Sequence, residues 1–406
     1  MAGDGAPVGM QRGRSRVRVL VVSAWSPYRA TDGDSLVLAH HLRHLGGRHD
    51  VVVLSADSGA GDEPAGGPLP ASVEVRGFGA DRQHPVRVVG RRWRGLRTGE
   101  PDHVAWVERP ALLAALAEEL ASRRPDVVHL FGWGTAQLWA RTDGVPCVHM
   151  PVDTWTDGVR NRALPGWRRL TDLGQHRRVR AHERRHYPRC HAVAVVSPGE
   201  AERTQAVAPG ARVAVVANGV DAGPEPERRP DPRPTIAFHG RYGTRANAEA
   251  ARFVATEVLP ELRRLVPDVR LLLIGSDVGP DVAALAGDAV EVTGPVDDVR
   301  AALGRAHVYV AGMVSGTGIK NKVLEAMAAA LPVVATPLAL DGIGEGPGVV
   351  AAPTSVALAE AAVSLLADPE LAAQTGRAGR ARVVAEHGWD RSAAAIERLW
   401  LEAAGR

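Results

Sequence analysis

The chain carries 47 Arg but only two Lys, Lys320 and Lys322. Both fall in Gly316-Thr317-Gly318-Ile319-Lys320-Asn321-Lys322-Val323-Leu324-Glu325-Ala326-Met327. Two glycines followed by an apolar periodic run mark a helix start. A helix N-terminus favours anions and gains nothing from cations. Two compact ammonium groups there are explained by a bound diphosphate, on which amide N–H groups near Gly318, the helix dipole and both lysines converge. Glu325, on the same helix, can accept from a vicinal diol such as a ribose. The competing accounts are an arginine-rich codon bias and an ordinary polar helix start.

A second basic pair, Arg241 and Arg245, follows the strand-like Thr235–His239 and Gly240. A strand end is where a second diphosphate clamp would sit, although solvated loop arginines read the same way. In the first half, Thr31-Asp32-Gly33-Asp34 separates a strand from a helix, and Gly33 permits close backbone approach to an anion. A structural turn fits it equally. His129 and Asp153 follow strand-like runs, and His149 and Asp157 compete with them. A strand-end His is commonly a satisfied structural residue. No GxGxxG stands in the chain, so a nicotinamide fingerprint is missing.

These groups need elements to hold them. Val17–Ser23, Asp50–Ser55, Asp126–Leu130, Cys147–Met150 and Ala192–Ser197 are β-branched or apolar runs of buried-strand type. Helical patterns lie between them at Ser35–Leu45 and Pro110–Ser122. After the Pro-rich segment 222–234 the alternation restarts. Strands are expected at Thr235–His239, Val269–Ile274, Val290–Thr293, His307–Ala311, Leu331–Thr336 and Gly348–Ala352. Intervening helices are expected at Ala246–Leu265, Val299–Arg305, Val323–Ala330 and Val356–Ala367. Leu371 to Ala404 reads as helix, broken near Gly388. The expectation is α/β: two Rossmann-like doubly wound domains facing a cleft at the carboxyl ends of their strands. The boundaries are a disordered 1–16, a first domain 17–221, a linker 222–234, a second domain 235–385 and a helix 386–406 that crosses back.

Composition narrows the rest. With 406 residues, 45% hydrophobic and 23% charged, the chain is globular and long enough for two cores. It has no apolar run of membrane-spanning length, and its first sixteen residues lack the apolar core of a secretory signal. Cys147 and Cys190 read as reduced cytoplasmic thiols or at most one bridge. No Cys/His cluster has zinc spacing, so no metal is expected. Residues 1–217 hold 30 Arg against 22 acids; residues 218–406 hold 17 Arg and two Lys against 24. Ten Arg of the first half sit in Arg160–Arg189, with Asp172 and Glu183 as the acids. A solvated helix face is the plain reading, and a contact with an anionic membrane or acceptor the sharper one. Nucleic acid is not expected, because no aromatics are interleaved for stacking.

From about Val17 onward the sequence resembles the retaining glycosyltransferases of the GT-B fold, family 4 of the sugar-nucleotide transferases. The resemblance is carried by Asp32-Gly33-Asp34-Ser35, Pro125-Asp126-Val127-Val128-His129, Asn218-Gly219-Val220-Asp221, Gly240-Arg241, Val292-Thr293-Gly294 with Val296-Asp297-Asp298-Val299, and Lys322-Val323-Leu324-Glu325-Ala326-Met327 before Pro332-Val333-Val334-Ala335-Thr336. It is nearest a subgroup of bacterial exopolysaccharide and natural-product loci.

The resemblance implies metal-independent, hexosyltransferase-type transfer with retention. The co-substrate is a nucleoside-diphosphate sugar, with no further cofactor, and the acceptor a small molecule, natural product or glycan. It places Gly240, Arg241, Arg245, Gly294, Gly316, Thr317, Gly318, Ile319, Lys320, Asn321, Lys322 and Glu325 at the donor. Gly33, Asp34, His129 and Asp153 line the acceptor side, with Asp153, His129, Lys322 and Arg241 closest to the chemistry. Thr317 stands where the family carries the first of two acids, Arg245 and Ala246 where a Lys is usual, and Val152 in place of a His. A sugar-nucleotide epimerase of the same fold, or a non-catalytic nucleotide-sugar-binding partner of another transferase, remain alternatives.

Overall fold

The computed structural model describes residues 16–28, 33–57, 67–79, 95, 97–156, 168–224 and 227–406, with the side chains of 168–173 left aside. The expected disordered 1–15, Asp32, Asp157, Arg160 and Arg162 lie outside the described residues.

Thirteen parallel strands form two sheets among the described residues. The first holds β1 (Arg18–Ser23), β2 (Asp50–Ser55), β3 (Val73–Gly77), β4 (Val127–Phe131), β5 (Cys147–Val152), β6 (Ala192–Val195) and β7 (Val213–Val215), ordered β3-β2-β1-β4-β5-β6-β7. The second holds β8 (Thr235–His239), β9 (Arg270–Ile274), β10 (Val290–Val292), β11 (Val308–Ala311), β12 (Val333–Ala335) and β13 (Val349–Ala351), ordered β10-β9-β8-β11-β12-β13. In both, the order reverses beside the first strand, which opens a crevice at the carboxyl ends. The central strands are buried on both faces, as their unbroken Val/Leu/Ile runs require; Val21 pairs with Val53 on one side and His129 on the other.

The helices that matter here are α1 (Gly33–Leu45), α2 (Pro110–Arg123), α3 (Arg168–His186), α4 (Pro198–Val207), α5 (Arg245–Phe253), α6 (Asn321–Ala328), α7 (Ser355–Ala367), α8 (Pro369–Glu386) and α9 (Trp389–Ala403). Ser197, Thr354 and Asp368 cap α4, α7 and α8 with side-chain oxygens. Among the described residues no helix is long and apolar enough to cross a membrane. Cys147 and Cys190 are free and buried.

The chain returns to the first sheet at its far end. Trp389, at the start of α9, stacks on His40 of α1 with centroids 4.1 Å apart. Along α9, Ser392 meets His41 at 2.9 Å, Glu397 meets His49 at 3.0 Å, and Trp400 donates to His129 at 2.9 Å. The Asn-Gly-Val-Asp motif is the junction. A Cβ on Gly219 would stand 2.6 Å from the Trp389 backbone nitrogen, so only glycine admits α9. Val220 N–H donates to His387 O, Asp221 faces His40, and Asn218 donates to Asn321 of α6.

Candidate active site

A cavity of about 380 Å³ opens where β8, β9 and β10 end, lined by His239, Gly240, Arg241, Gly275, Ser276, Val296 and Glu325 among others. A second of the same volume adjoins it between Asp221, Asp298, Arg300 and Glu325. Glu325 belongs to both. It points from α6 with its side chain 41% exposed, and its Oε2 lies 2.6 Å from His239 Nε2. Burial opposes the charge on Glu325, but His239 and Lys322 outweigh it and hold the carboxyl below its usual range. The result is a fixed, ionised acceptor at a cavity wall. The floor is backbone. A Cβ on Gly275 would stand 1.8 Å from Gly240 O, and Gly275 N–H donates to Gly294 O, whose residue has φ +70°.

The lysines divide. Lys322 Nζ donates to Asn247 Oδ1 at 2.5 Å, stands 5.7 Å from the Phe238 ring, and passes beside Gly240. Burial draws its pKa down to about 8, against the pull of Glu325. Lys320 is 6% exposed and curls back on its own loop, donating to Thr317 O at 2.8 Å and Gly318 O at 2.5 Å. It caps carbonyls of its own loop, whereas the Lys322 ammonium is held by Asn247 of α5. Arg241 lines the first cavity while paired with Asp277, and Arg245 pairs with Glu249 on the exposed side of α5. Ile319 is buried against Gly342, and Asn321 accepts from Asn218.

The edge of the first sheet meets this region through one loop. Val152 ends β5 with φ +72°, a conformation β-branched residues avoid at appreciable cost. That turn delivers Asp153 to the second domain. Thr317 Oγ1 donates to Asp153 Oδ2 at 3.4 Å, and a Cβ on Gly318 (φ +68°) would fall 2.0 Å from Asp153 Oδ1. Burial, then the neighbouring Glu200 carboxylate, pushes the Asp153 pKa up to about 6, with Lys320 resisting. Gly316, at φ +113°, completes the loop. Gly33 and Asp34 stand at the first turn of α1; among the described residues nothing lies within 4 Å of a Cβ built on Gly33.

His129, expected beside the chemistry, is enclosed instead. His129 is the middle residue of β4, 1% exposed, with its Nδ1 accepting from Trp400 of α9. Burial holds its pKa well below the ordinary value, and it serves as a packing residue. His149 is enclosed likewise, bonded to Leu130 O.

Several residues here escaped the sequence reading. Glu200 accepts from Thr154 N–H and hydroxyl, from Arg203, and across the domains from Gly318 N–H at 3.2 Å. Arg203 continues to Asp341 at 2.9 Å. The signal was present in Ser197-Pro198-Gly199-Glu200, but that spacing reads as an ordinary capping box. His239 was hidden because a strand-end His carries no mark of its partner.

Residues 35–219 match the family described as glycosyl transferase 4-like domain, and residues 233–368 the one described as glycosyl transferases group 1. Each half of the chain thus matches a glycosyl transferase family. A phosphatidyl-myo-inositol mannosyltransferase of Mycobacterium leprae is 33% identical over 214 residues, 49% of this chain and 56% of that protein. The match to that relative therefore spans little more than half of its length. A glycogen synthase of Mycobacterium tuberculosis is 28% identical over 95% of both chains. Among solved structures, Anabaena HepE in complex with UDP and glucose superposes with TM-score 0.63 at 14% identity, over 94% of this chain and 99% of that one. The fold is GT-B, two Rossmann-like domains with their carboxyl edges opposed.

Proposed function

We propose that this glycosyltransferase moves a hexosyl group from a nucleoside-diphosphate sugar to a hydroxyl, amine or thiol of a small-molecule, natural-product or glycan acceptor, with retention. The observation that carries the reading is the cavity at the ends of β8, β9 and β10, walled by ionised Glu325 and floored by Gly240 and Gly275. Its glycines let a flat base and a ribose approach backbone, and Glu325 is placed to accept from ribose hydroxyls. HepE, of the same fold, is described with UDP and glucose bound.

In the reaction the C1–O bond to the diphosphate breaks and its electron pair goes to the β-phosphate oxygen. The acceptor's oxygen, nitrogen or sulfur bonds C1 on the same face, and its proton passes to the departing phosphate. Lys322, Arg241 and the amide at Gly316 stabilise the charge that develops, while the Gly318 amide is held by Glu200. A metal at the diphosphate is not required by this set. Arg245 is near enough in sequence to assist once released from Glu249. Asp153 positions the sugar at the loop contact, and Gly33 and Asp34 bound the acceptor side. Two free buried thiols suit a cytoplasmic site of action.

The test is a thermal-shift screen against nucleoside diphosphates and their sugars, followed by product analysis with acceptor mixtures. Glycosylated acceptor bearing the donor's anomeric configuration is the expected outcome. Interconversion of the sugar nucleotide without acceptor would replace the reading by epimerisation. Binding without turnover would make the chain a nucleotide-sugar-binding partner, as Thr317 in the acid's place allows.

A further inference from the structure

A cluster in the first domain, on the helix side of the Asp153 loop, has no part in the chemistry above. His182 and His186 lie four residues apart on α3, and Glu100 reaches them from a distant segment. One nitrogen from each ring and one oxygen of Glu100 all lie within 4.8 Å of one another. The two rings are 4.5 Å apart between centroids. His182 has a fully buried side chain, and its Nδ1 lies 2.9 Å from Glu100 Oε2, a separation at which both atoms can ligate one ion once that nitrogen gives up its proton. His186 Nε2 is buried and has no partner among the described residues. A buried polar atom of that kind calls for an occupant. A spacing of i, i+4 puts the two histidines on one helix face.

We propose that Glu100, His182 and His186 form a structural site for a divalent transition-metal ion of the zinc type. The donor set decides the class. Two imidazoles and one carboxylate suit zinc, cobalt or nickel, whereas calcium and magnesium require mostly oxygen. The surrounding Arg178 and Arg185 further disfavour a hard cation held by charge alone. The ion ties the segment before α2 to α3, against Trp155, whose ring meets that of His182 edge-on at 5.5 Å. His186 Nδ1 also accepts from Trp139 Nε1 at 3.1 Å, so coordination competes with that bond and the affinity is moderate. The sequence alone withheld this site: no Cys/His cluster has zinc spacing along the chain, because the third ligand is 82 residues away from His182.

Chelator-stripped protein is titrated with Co²⁺, reading its visible absorption, and then with Zn²⁺, reading thermal stability. The expected result is one equivalent of Co²⁺ with a tetrahedral-type spectrum, displaced by Zn²⁺, and a higher melting temperature with Zn²⁺. Glu100→Gln, which removes the anionic ligand, should lose at least the roughly 10-fold that an outer partner costs, and His186→Gln should lose the spectrum. His44→Gln, at another helical histidine pair, should bind as wild type. Glu100 is partly exposed, so its variant tests the idea even if His182→Gln does not fold. Absence of stoichiometric binding at micromolar Co²⁺, or unchanged binding in both Glu100→Gln and His186→Gln, would overturn the proposal and leave a buried water as the occupant.

Discussion

Glu325 sits at the only residue shared by the two described cavities apart from Val299, and its carboxylate is oriented by His239. A charged hydrogen bond contributes roughly 1.5–3 kcal/mol, so Glu325→Gln should weaken nucleotide binding by about tenfold or more. Calorimetry with equal affinities in wild type and variant would remove Glu325 from the ribose. The two lysines allow a second test. Only the neutral amine is acylated, and Lys322, with its pKa drawn down to about 8, is the more reactive, while Lys320 is shielded by its own loop. Peptide mapping should find Lys322 labelled first and protected by the right nucleotide; Lys320 labelling early would contradict the geometry. Asp153 predicts a pH effect. Its pKa rises from 3.8 to about 6 on folding, so the stability it confers is full below pH 3.8 and lost as pH climbs through about 6. Asp153→Asn should flatten the melting-temperature profile over that window and melt higher than wild type at pH 7. Its turnover should fall by about 10²-fold, as for loss of a group that positions the sugar.

Among elements, the loop 316–318 is the most demanding. Gly318→Ala puts a methyl onto Asp153 Oδ1 and an L-residue at φ +68°. Turnover should drop by about 10²-fold, the cost of an ångström-scale misplacement, while nucleotide affinity changes little. Equal losses in both would mean that the loop binds the nucleotide itself. This loop also marks what the sequence could tell. Its glycines, its lysines and Glu325 were legible because each type departs from its surroundings. Continuous apolar runs such as Val17–Ser23 announced the central strands. The edges were not announced: β3 is a half-buried Val-Glu-Val-Arg-Gly and β7 only three residues long, too short for periodicity to register. The fate of Lys320 was illegible too, since a side chain that turns back on its own carbonyls has the same sequence as one that faces a ligand. His129 misled for a related reason. Its enclosure comes from Trp400, 271 positions away, and no local pattern encodes so distant a partner.

Across the whole molecule, the domains are joined by polar contacts: Glu200 to Gly318, Arg203 to Asp341, and Asn218 to Asn321. They are joined also by α9, which is packed by aromatic rings. Trp400 is 1% exposed, and Trp400→Ala should destabilise the protein by about 3–5 kcal/mol while leaving His129 without its donor. Urea unfolding measures this directly, and a loss below about 1 kcal/mol would show that α9 merely rests on the surface. The placement of α9 has a consequence for biosynthesis. A ribosome releases β1 to β7 long before residues 389–403, so the nascent first sheet waits with the surface around His41, His49 and His129 uncovered while the second domain is translated. Chains in that interval depend on chaperones more than their final architecture suggests. A message truncated after residue 221 should yield aggregating protein, and co-expression of a 386–406 segment should recover part of it.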